Sequence, residues 1–181
     1  YLIADSISAL DVSRSKEAEL KIQFETKAGF ASNLEAYKQQ MVELIRQNFN
    51  HPSILFWGIQ NEIQISGERP ELRKLVNELN ELTKKEDPTR LTTMANVMFV
   101  EDEDDYNYVT DTIGYNKYFG WYNGEAGDFA GWLDGFHKKN PTVKLAISEY
   151  GAEGILQYHS SEPKIKDYSE EYHALYHETV W

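Results

Sequence analysis

Short apolar runs alternate along the chain with longer amphipathic segments. Apolar residues at helical spacing predict four helices, over residues 32–50, 70–85, 128–139 and 168–181. Short apolar runs predict four strands, over residues 53–60, 91–97, 112–115 and 143–149. Strands that alternate with helices are typical of an α/β fold with a parallel sheet. A closed eight-stranded α/β barrel needs about 200 residues or more, so these 181 residues predict an open sheet or part of a barrel.

Local residues predict where the first elements begin and end. Ser32 and Glu35 match a capping box, which predicts that the first helix begins at Ser32. The helix is expected to end before Pro52, because the residue that precedes a proline avoids the helical region. Residues 2–4 are expected to end a further strand, and the mixed, polar residues 9–31 to form a long loop.

The composition excludes several classes of protein. The chain has no cysteine, which excludes disulfides, thiolate metal sites and a cysteine nucleophile. A formal net charge of −12 argues against nucleic acids and anionic membranes as partners, since both attract clustered Lys and Arg. The longest apolar run has about seven residues, far fewer than the roughly 20 that a transmembrane helix needs. We therefore expect a soluble, globular protein.

Two glutamates at the ends of predicted strands are the candidates for chemistry. Glu62 comes just after the run that ends at Gln60, and Glu149 ends the run that begins at Val143. The 87 residues that separate them correspond to about three strand–helix units, which would place both carboxylates on the same rim of a barrel, at the carboxyl ends of its strands. Glycoside hydrolysis requires two carboxylates across a cleft. A glutamate after a strand is also often a capping or solvated loop residue, so spacing alone leaves both interpretations open.

Three local segments resemble the motifs of one enzyme family. They are NHPSILFWGIQNE at residues 50–62, NKYFGWY at residues 116–122 and SEYGA at residues 148–152. Their content, order and spacing resemble glycoside hydrolase family 2, which includes β-galactosidases and β-glucuronidases. The resemblance covers nearly the whole chain.

The resemblance implies a role for particular residues. Glu62 would be the general acid/base at the end of barrel strand 4, and Glu149 the nucleophile at the end of strand 7. Asn61 would hold the sugar 2-hydroxyl, and Tyr118 would lie near the nucleophilic carboxylate. The residues implied to shape the sugar pocket are Asn116 and Trp121.

The segment from Tyr115 to Tyr122 is dense in aromatic residues. Core packing around the rim of a barrel is one interpretation. Glycines such as Gly120 and Gly124 favour a surface loop instead, in which Trp121 is a platform that stacks on the apolar face of a sugar.

No cofactor is expected. Some family members hold magnesium, but Asp5-Ser6 stands where the family usually has Asp-Glu, so the sequence does not support that site. The acidic run 101–105 lacks the alternating ligands and the glycine of a calcium loop. It is expected to be a solvated loop, and no metal ligand is predicted.

The resemblance also implies the architecture, a (β/α)8 TIM barrel that is only partly present. Residues 1–181 would form a single domain, the C-terminal part of a glycosidase barrel with about strands 3–7. Strands 1, 2 and 8 and the β-sandwich domains that normally precede the barrel would be absent. Because a partial barrel leaves unpaired sheet edges, we expect self-association or coverage by a partner.

The expected function is that of a retaining β-glycosidase that acts on a carbohydrate substrate. The stretch from Ser148 to His159 and the stretch DYSEEYHALYHE, residues 167–178, look more like β-galactosidases, which favours β-D-galactosides. The alternatives are a β-glucuronidase and a non-catalytic sugar-binding or inert barrel fragment. The expected source compartment is a bacterial cytoplasm or periplasm.

Overall fold

Helices and strands alternate along the chain. The structure, a computed structural model, describes residues 27–67 and 69–181. The α-helices are α1 (Lys27–Asn48), α2 (Pro70–Glu86), α3 (Asp128–Lys139) and α4 (Glu170–Val180). The strands are β1 (Phe56–Asn61), β2 (Leu91–Asn96), β3 (Thr112–Asn116) and β4 (Leu145–Glu149). Two short 3-10 helices span Ile63–Ser66 and Asp105–Tyr108.

The four strands form one parallel sheet in the order β1-β2-β3-β4. Each neighbour in the sheet is also the next strand in sequence, as expected when a helix or loop carries the chain back over one face. The predicted α/β class with a parallel sheet is confirmed. The sheet is open among the described residues, with β1 and β4 at its two edges.

The predicted start of the first helix is wrong. Helix α1 begins at Lys27, so Ser32 lies inside the helix and is not its N-cap. Residues 27–31, which the sequence predicts to be part of a loop, are helical. The capping box is a local sequence pattern, and here the helix extends beyond it towards the N-terminus. The expected strand at residues 2–4, the rest of the expected loop and the pair Asp5-Ser6 lie outside the described residues.

The larger hydrophobic core joins α1, α2 and α3 to the sheet. The buried face of α2 consists of Leu72, Leu75, Val76 and Leu79 at helical spacing, with Thr83 beyond them. Each fully buried leucine contributes about 1.5–3 kcal/mol relative to an exposed one. The other helices and strands contribute Met41, Ile45, Trp57, Ile59, Ile113, Tyr115 and Phe136 to this core.

A buried ion pair connects β1, α2 and the entrance of β2. Asp87, which is completely buried at the end of α2, accepts hydrogen bonds from Trp57 Nε1 at 2.9 Å and from Arg90 Nη1 at 2.6 Å. Arg90 Nε also donates to the carbonyl of Ile54 at 2.8 Å. These contacts fix where β1 and β2 enter the sheet, and therefore also where their other ends emerge.

A second, aromatic cluster lies beside β4. It contains Trp121, Phe129, Ala152, Tyr172 and Tyr176, which come from the loop after β3, from α3, from the loop after β4 and from α4. Tyr172 donates a hydrogen bond from its hydroxyl to the carbonyl of Gly120. This cluster holds the two loops that follow β3 and β4 against α4.

The acidic run 101–105 is more structured than a solvated loop. Asp102 accepts hydrogen bonds from Trp132 Nε1 at 2.9 Å and from Lys139 Nζ at 3.0 Å. Asp104 caps the second 3-10 helix and pairs with Arg73 at 2.9 Å. These two carboxylates therefore attach the loop to α2 and α3.

Candidate active site

The candidate residues lie at the carboxyl ends of the strands, where the pairing between strands is irregular. The register between β1 and β2 shifts between Gly58 and Asn61. The register between β3 and β4 shifts between Tyr115 and Asn116, which leaves Asn116 opposite Glu149. Such bulges bend a strand and re-aim its side chains, and they are common beside active sites.

Glu62 has an unusual backbone conformation. Its φ of 52° and ψ of 33° lie in the left-handed region, which a residue with a side chain adopts at a cost of about 1–3 kcal/mol. The N–H of Glu62 donates to the carbonyl of Ala95 on β2 at 2.9 Å, and its own carbonyl accepts from the N–H of Ile65 at 2.9 Å. The residue thus turns the chain sharply from β1 into the first 3-10 helix.

Asn116, at the end of β3, connects the carboxyl ends of β1 and β4. It is completely buried, and its Nδ2 donates both to Asn61 Oδ1 at 3.1 Å and to Glu62 Oε1 at 3.0 Å. Its Oδ1 accepts from Ser148 Oγ, the neighbour of Glu149, at 2.7 Å. One amide thereby connects the Asn61-Glu62 pair at the end of β1 to the Ser148-Glu149 pair on β4.

Gly114 makes room for this bridge. A Cβ atom at Gly114 would lie 2.6 Å from Ser148 Oγ and 3.1 Å from the carbonyl oxygen of Met94. Both distances are shorter than a normal contact, so only glycine lets Ser148 lie close enough to β3 to reach Asn116.

Tyr118 donates a hydrogen bond from its hydroxyl to Glu149 Oε2 at 2.5 Å. Burial raises the pKa of the Tyr118 phenol well above its usual value, and this hydrogen bond and the negative charges of Glu149 and Glu62 raise that pKa further. Both carboxylates therefore raise the pKa of the same phenol, which stays protonated at neutral pH and donates a hydrogen bond.

The sugar-platform prediction for Trp121 does not fit its position. Only 2% of Trp121 is exposed, because Tyr172 stacks against the indole and Tyr168 packs edge-on. An indole buried this deeply has no free face for a pyranose. The neighbouring Tyr122 is 57% exposed, and its ring packs edge-on against that of Tyr118 at a centroid distance of 5.0 Å.

A cation lies beside these aromatic rings. The Nζ atom of Lys166 is 4.0 Å from the ring centroid of Tyr122 and 4.3 Å from that of Trp121. Lys166 itself has a left-handed backbone with φ of 67°. The loop after β4 thus brings a positive charge to the aromatic side of the site.

The structure brings most of the predicted site residues together at the carboxyl ends of the strands. Asn116 is hydrogen-bonded to Asn61, Glu62 and Ser148, and Tyr118 is hydrogen-bonded to Glu149, the residue after Ser148. In the described part of the chain, no three or more His, Asp or Glu side chains are arranged to hold a metal ion. None of the helices in that part is long and apolar enough to cross a bilayer.

Sequence reasoning missed the buried amides beneath Glu62. Gln60 and Gln64 are each 4% exposed, and Asn96 and Asn107 are also buried. The available signal was a glutamine at the end of an apolar run that was predicted to be a buried strand. A buried amide needs hydrogen-bond partners, and this requirement could have marked Gln60 as more than the boundary of a strand.

Comparison with known sequences identifies the family to which this arrangement belongs. A profile described as "Glycosyl hydrolases family 2, TIM barrel domain" matches residues 4–180. The chain belongs to glycosyl hydrolase family 2. Its parallel sheet with alternating helices is accordingly part of the TIM barrel domain of that family.

The similar proteins include β-glucuronidases and a putative β-galactosidase. The β-glucuronidase of Bacteroides fragilis is 46% identical over 132 residues, which are 73% of this chain and 18% of that protein. The crystal structure of an FMN-binding β-glucuronidase from Facaelibacterium prausnitzii L2-6 is 48% identical, with a TM-score of 0.83, and the match covers 88% of this chain and 24% of that one.

A putative β-galactosidase from Bacteroides fragilis is 34% identical, with a TM-score of 0.73 over 82% of this chain and 22% of that one. The chain spans about a fifth of the length of the curated relatives that it matches.

Proposed function

We propose that this chain supplies the two catalytic carboxylates of a retaining β-glycosidase, with Glu149 as nucleophile and Glu62 as general acid/base. The observation that carries the proposal is the bridge through Asn116, which joins Asn61 and Glu62 to Ser148, the residue before Glu149. The hydrogen bond from the Tyr118 hydroxyl to Glu149 Oε2 at 2.5 Å also supports the proposal, because it holds the second carboxylate in place.

We infer that the two carboxylates act by double displacement. Glu149, held by the Tyr118 hydroxyl, attacks the anomeric carbon while Glu62 gives its proton to the departing oxygen. The sugar is then esterified to Glu149, and Glu62, now a carboxylate, removes a proton from the water that attacks the same carbon. Both steps invert the anomeric carbon, so the released sugar keeps its original configuration.

Asn61 and Asn116 orient the reacting groups. The Asn116 amide already donates to Glu62 Oε1 and to Asn61 Oδ1, which leaves the Nδ2 of Asn61 available for the sugar 2-hydroxyl. Hydrogen bonds to that hydroxyl strengthen in the transition state and contribute several kcal/mol in glycosidases.

For the substrate, we propose a β-D-glucuronide. The β-glucuronidases among the relatives support this choice, and so does the ammonium group of Lys166 beside Tyr122, because a cation next to an aromatic wall suits an anionic sugar. A β-D-galactoside is the second candidate, favoured by the sequence stretch at 167–178 and by the 34% identical putative β-galactosidase. A non-catalytic sugar-binding fragment is the remaining alternative.

The chemistry is tested by replacing each carboxylate. Glu149→Gln is expected to abolish turnover, because it removes the nucleophile. Glu62→Gln is expected to lower kcat/KM by about 10²–10⁴-fold on substrates with poor leaving groups, since general acid catalysis contributes about that much. The assays use the full-length polypeptide that carries this sequence. Wild-type sugar release by Glu149→Gln would contradict the proposal, and a sugar-binding module would tolerate both changes.

The substrate is tested with matched sugars on one leaving group. We expect p-nitrophenyl β-D-glucuronide to be hydrolysed at least tenfold faster than p-nitrophenyl β-D-galactoside at equal concentration. Lys166→Met is expected to lower kcat/KM for the glucuronide and to leave the galactoside unchanged, with the exposed Lys164→Met as the control. Faster hydrolysis of the galactoside would favour the second candidate.

We also propose that residues 1–181 form one partial domain, with about strands 3–7 of the barrel. The four described parallel strands and the short share of each relative that the chain matches support this division. The remaining strands of the barrel and any pocket residues on them would then belong to other parts of the protein.

A further inference from the structure

The left-handed backbone of Glu62 needs a cause within the surrounding structure. A residue with a side chain stays in that region only where its neighbours over-determine its conformation. Asn61 and Glu62 interact with Asn116 through their side chains, which fixes the carboxyl end of Glu62 but not the turn of its backbone.

Gln60 contacts the backbone on both sides of this turn. Its Nε2 donates to the carbonyl of Ala95 at 3.1 Å, the same oxygen that accepts the N–H of Glu62 at 2.9 Å. Its Oε1 accepts from the N–H of Ile63, the residue after Glu62, at 2.9 Å. One side chain thus holds β2 and the first residue of the 3-10 helix at a fixed separation, with Glu62 between them.

Gln64 anchors the other end of the turn. Its Nε2 donates to Asn96 Oδ1 at 2.8 Å, and Asn96 Nδ2 reaches Asn107 Oδ1 at 3.3 Å. The hydroxyl of Tyr115 on β3 also donates to Asn107 Oδ1, at 2.8 Å. This series of buried amides ties the 3-10 helix after Glu62 to β2, to the second 3-10 helix and to β3.

We infer that Gln60, assisted by Gln64, is a positioning residue that holds the Glu62 backbone in its left-handed conformation and so aims the Glu62 carboxyl group at the leaving-group oxygen. Neither glutamine needs to touch the substrate. Both are 4% exposed, and the hydrogen bonds described above involve both polar atoms of the Gln60 side chain and the Nε2 of Gln64. The inference rests on the proposed role of Glu62 as general acid/base.

The test separates acid catalysis from every other step by varying the leaving group. Departure of 2,4-dinitrophenolate needs little protonation, whereas departure of unsubstituted phenolate depends on the general acid. We expect Gln60→Met, which keeps the length of the side chain but removes both hydrogen bonds, to lower kcat/KM for the phenyl glycoside about 10–100-fold. This is the scale of a misplaced catalytic group. For the dinitrophenyl glycoside we expect less than a threefold change.

Gln64→Met is the second variant and is expected to change the two substrates in the same unequal way, by a smaller factor. The control is Asn80→Leu, which removes a partly buried amide that donates to the carbonyl of Val109 at 2.7 Å, away from Glu62. It is expected to change both substrates equally. All variants are made in the full-length polypeptide, and circular dichroism verifies that each is folded.

The outcomes distinguish this inference from the proposed function. Glu62→Gln must itself show a selective loss of kcat/KM for the phenyl glycoside. An equal loss of kcat/KM for both substrates would refute the acid/base assignment. If Glu62→Gln shows the selective loss but the folded glutamine variants do not, the positioning inference alone is overturned. If Gln60→Met does not fold, Gln64→Met decides the question by the same criterion.

Discussion

At the scale of single residues, the site depends on side chains that connect the carboxyl ends of different strands. Asn116 donates to Asn61 and Glu62 and accepts from Ser148, while Tyr118 donates to Glu149. Each bond involves a charged or buried group, and such bonds are stronger than those between exposed neutral groups. The orientation of the two carboxylates therefore follows from a few hydrogen bonds that single substitutions can remove.

Tyr118→Phe tests the most direct of these bonds. Because the pKa of Tyr118 is raised by burial, by the hydrogen bond to Glu149 and by the charges of Glu149 and Glu62, the phenol remains a donor through neutral pH. A hydrogen bond to a charged group is worth about 1.5–3 kcal/mol, so we expect a loss of about 10–150-fold, mainly in kcat. Steady-state kinetics with the preferred glycoside measure this loss.

Tyr158→Phe is the matched control, since Tyr158 is 52% exposed in the loop after β4. Its kcat should stay within twofold of the wild-type value. An unchanged kcat in Tyr118→Phe would show that the phenol does not orient the nucleophile.

At the scale of helices and strands, the sequence predicted order and type well and predicted boundaries and contacts poorly. The alternation of apolar runs and amphipathic segments predicted all four described strands and the helices between them. The predicted start of α1 was wrong because the capping box at Ser32 is only a local signal. The helix extends past it to Lys27. Motif resemblance selected Glu62 and Glu149 as candidates, because both residues occur within recognisable local segments.

Contacts between distant segments were not predictable in the same way. The buried position of Trp121 depends on Tyr168 and Tyr172, about 50 residues further along the chain. The role of Gln60 depends on the carbonyl of Ala95 in the neighbouring strand and on a bulge that no local sequence pattern predicts. These features follow from the register of the sheet, which the sequence does not state directly.

Asp87→Asn tests how the elements are joined. Burial opposes the charge on Asp87, but hydrogen bonds from Thr89, Trp57 and Arg90 outweigh that effect and lower its pKa well below the ordinary value. A depressed pKa in the folded state contributes stability above the unfolded pKa of about 3.9, and this contribution is lost as the pH falls below that value. We expect Asp87→Asn to lower the free energy of unfolding by about 3–5 kcal/mol at pH 7, since it breaks a buried ion pair.

Denaturant unfolding of both proteins at pH 7, 5 and 3 measures this effect. The difference between wild type and variant should be full at pH 7 and 5 and should narrow at pH 3. Asp134→Asn, at an exposed position of α3, is the control and should change stability by less than about 0.5 kcal/mol. A gap that is the same at every pH would show that the ionised state of Asp87 does not stabilise the fold.

At the scale of the whole molecule, the described sheet lacks the closure of a barrel. Strands β1 and β4 are its two edges, and the residues of β4 are partly or fully exposed, whereas four of the five residues of β3 are buried. A parallel sheet normally has both faces covered. We propose that the remaining barrel strands cover β4, and that without them the chain associates with itself.

The comparison of residues 1–181 alone with the full-length polypeptide tests this proposal. We expect the shorter chain to form oligomers in light scattering, because its unpaired sheet edges attract other chains. We also expect it to turn over substrate at least 100-fold more slowly than the full-length polypeptide. A monomer with the full activity of the longer polypeptide would contradict the partial-barrel account.

Trapping the glycosyl-enzyme intermediate tests whether Glu149 forms a covalent bond to the sugar. A 2-deoxy-2-fluoro glycoside of the preferred sugar with a reactive leaving group slows both steps, so that the glycosyl-enzyme accumulates. Mass spectrometry of the digested protein should then show one added sugar on the peptide that contains Ser148, Glu149 and Tyr150, and none in Glu149→Gln. A sugar attached to another residue, or hydrolysis with inversion and no adduct, would contradict the account.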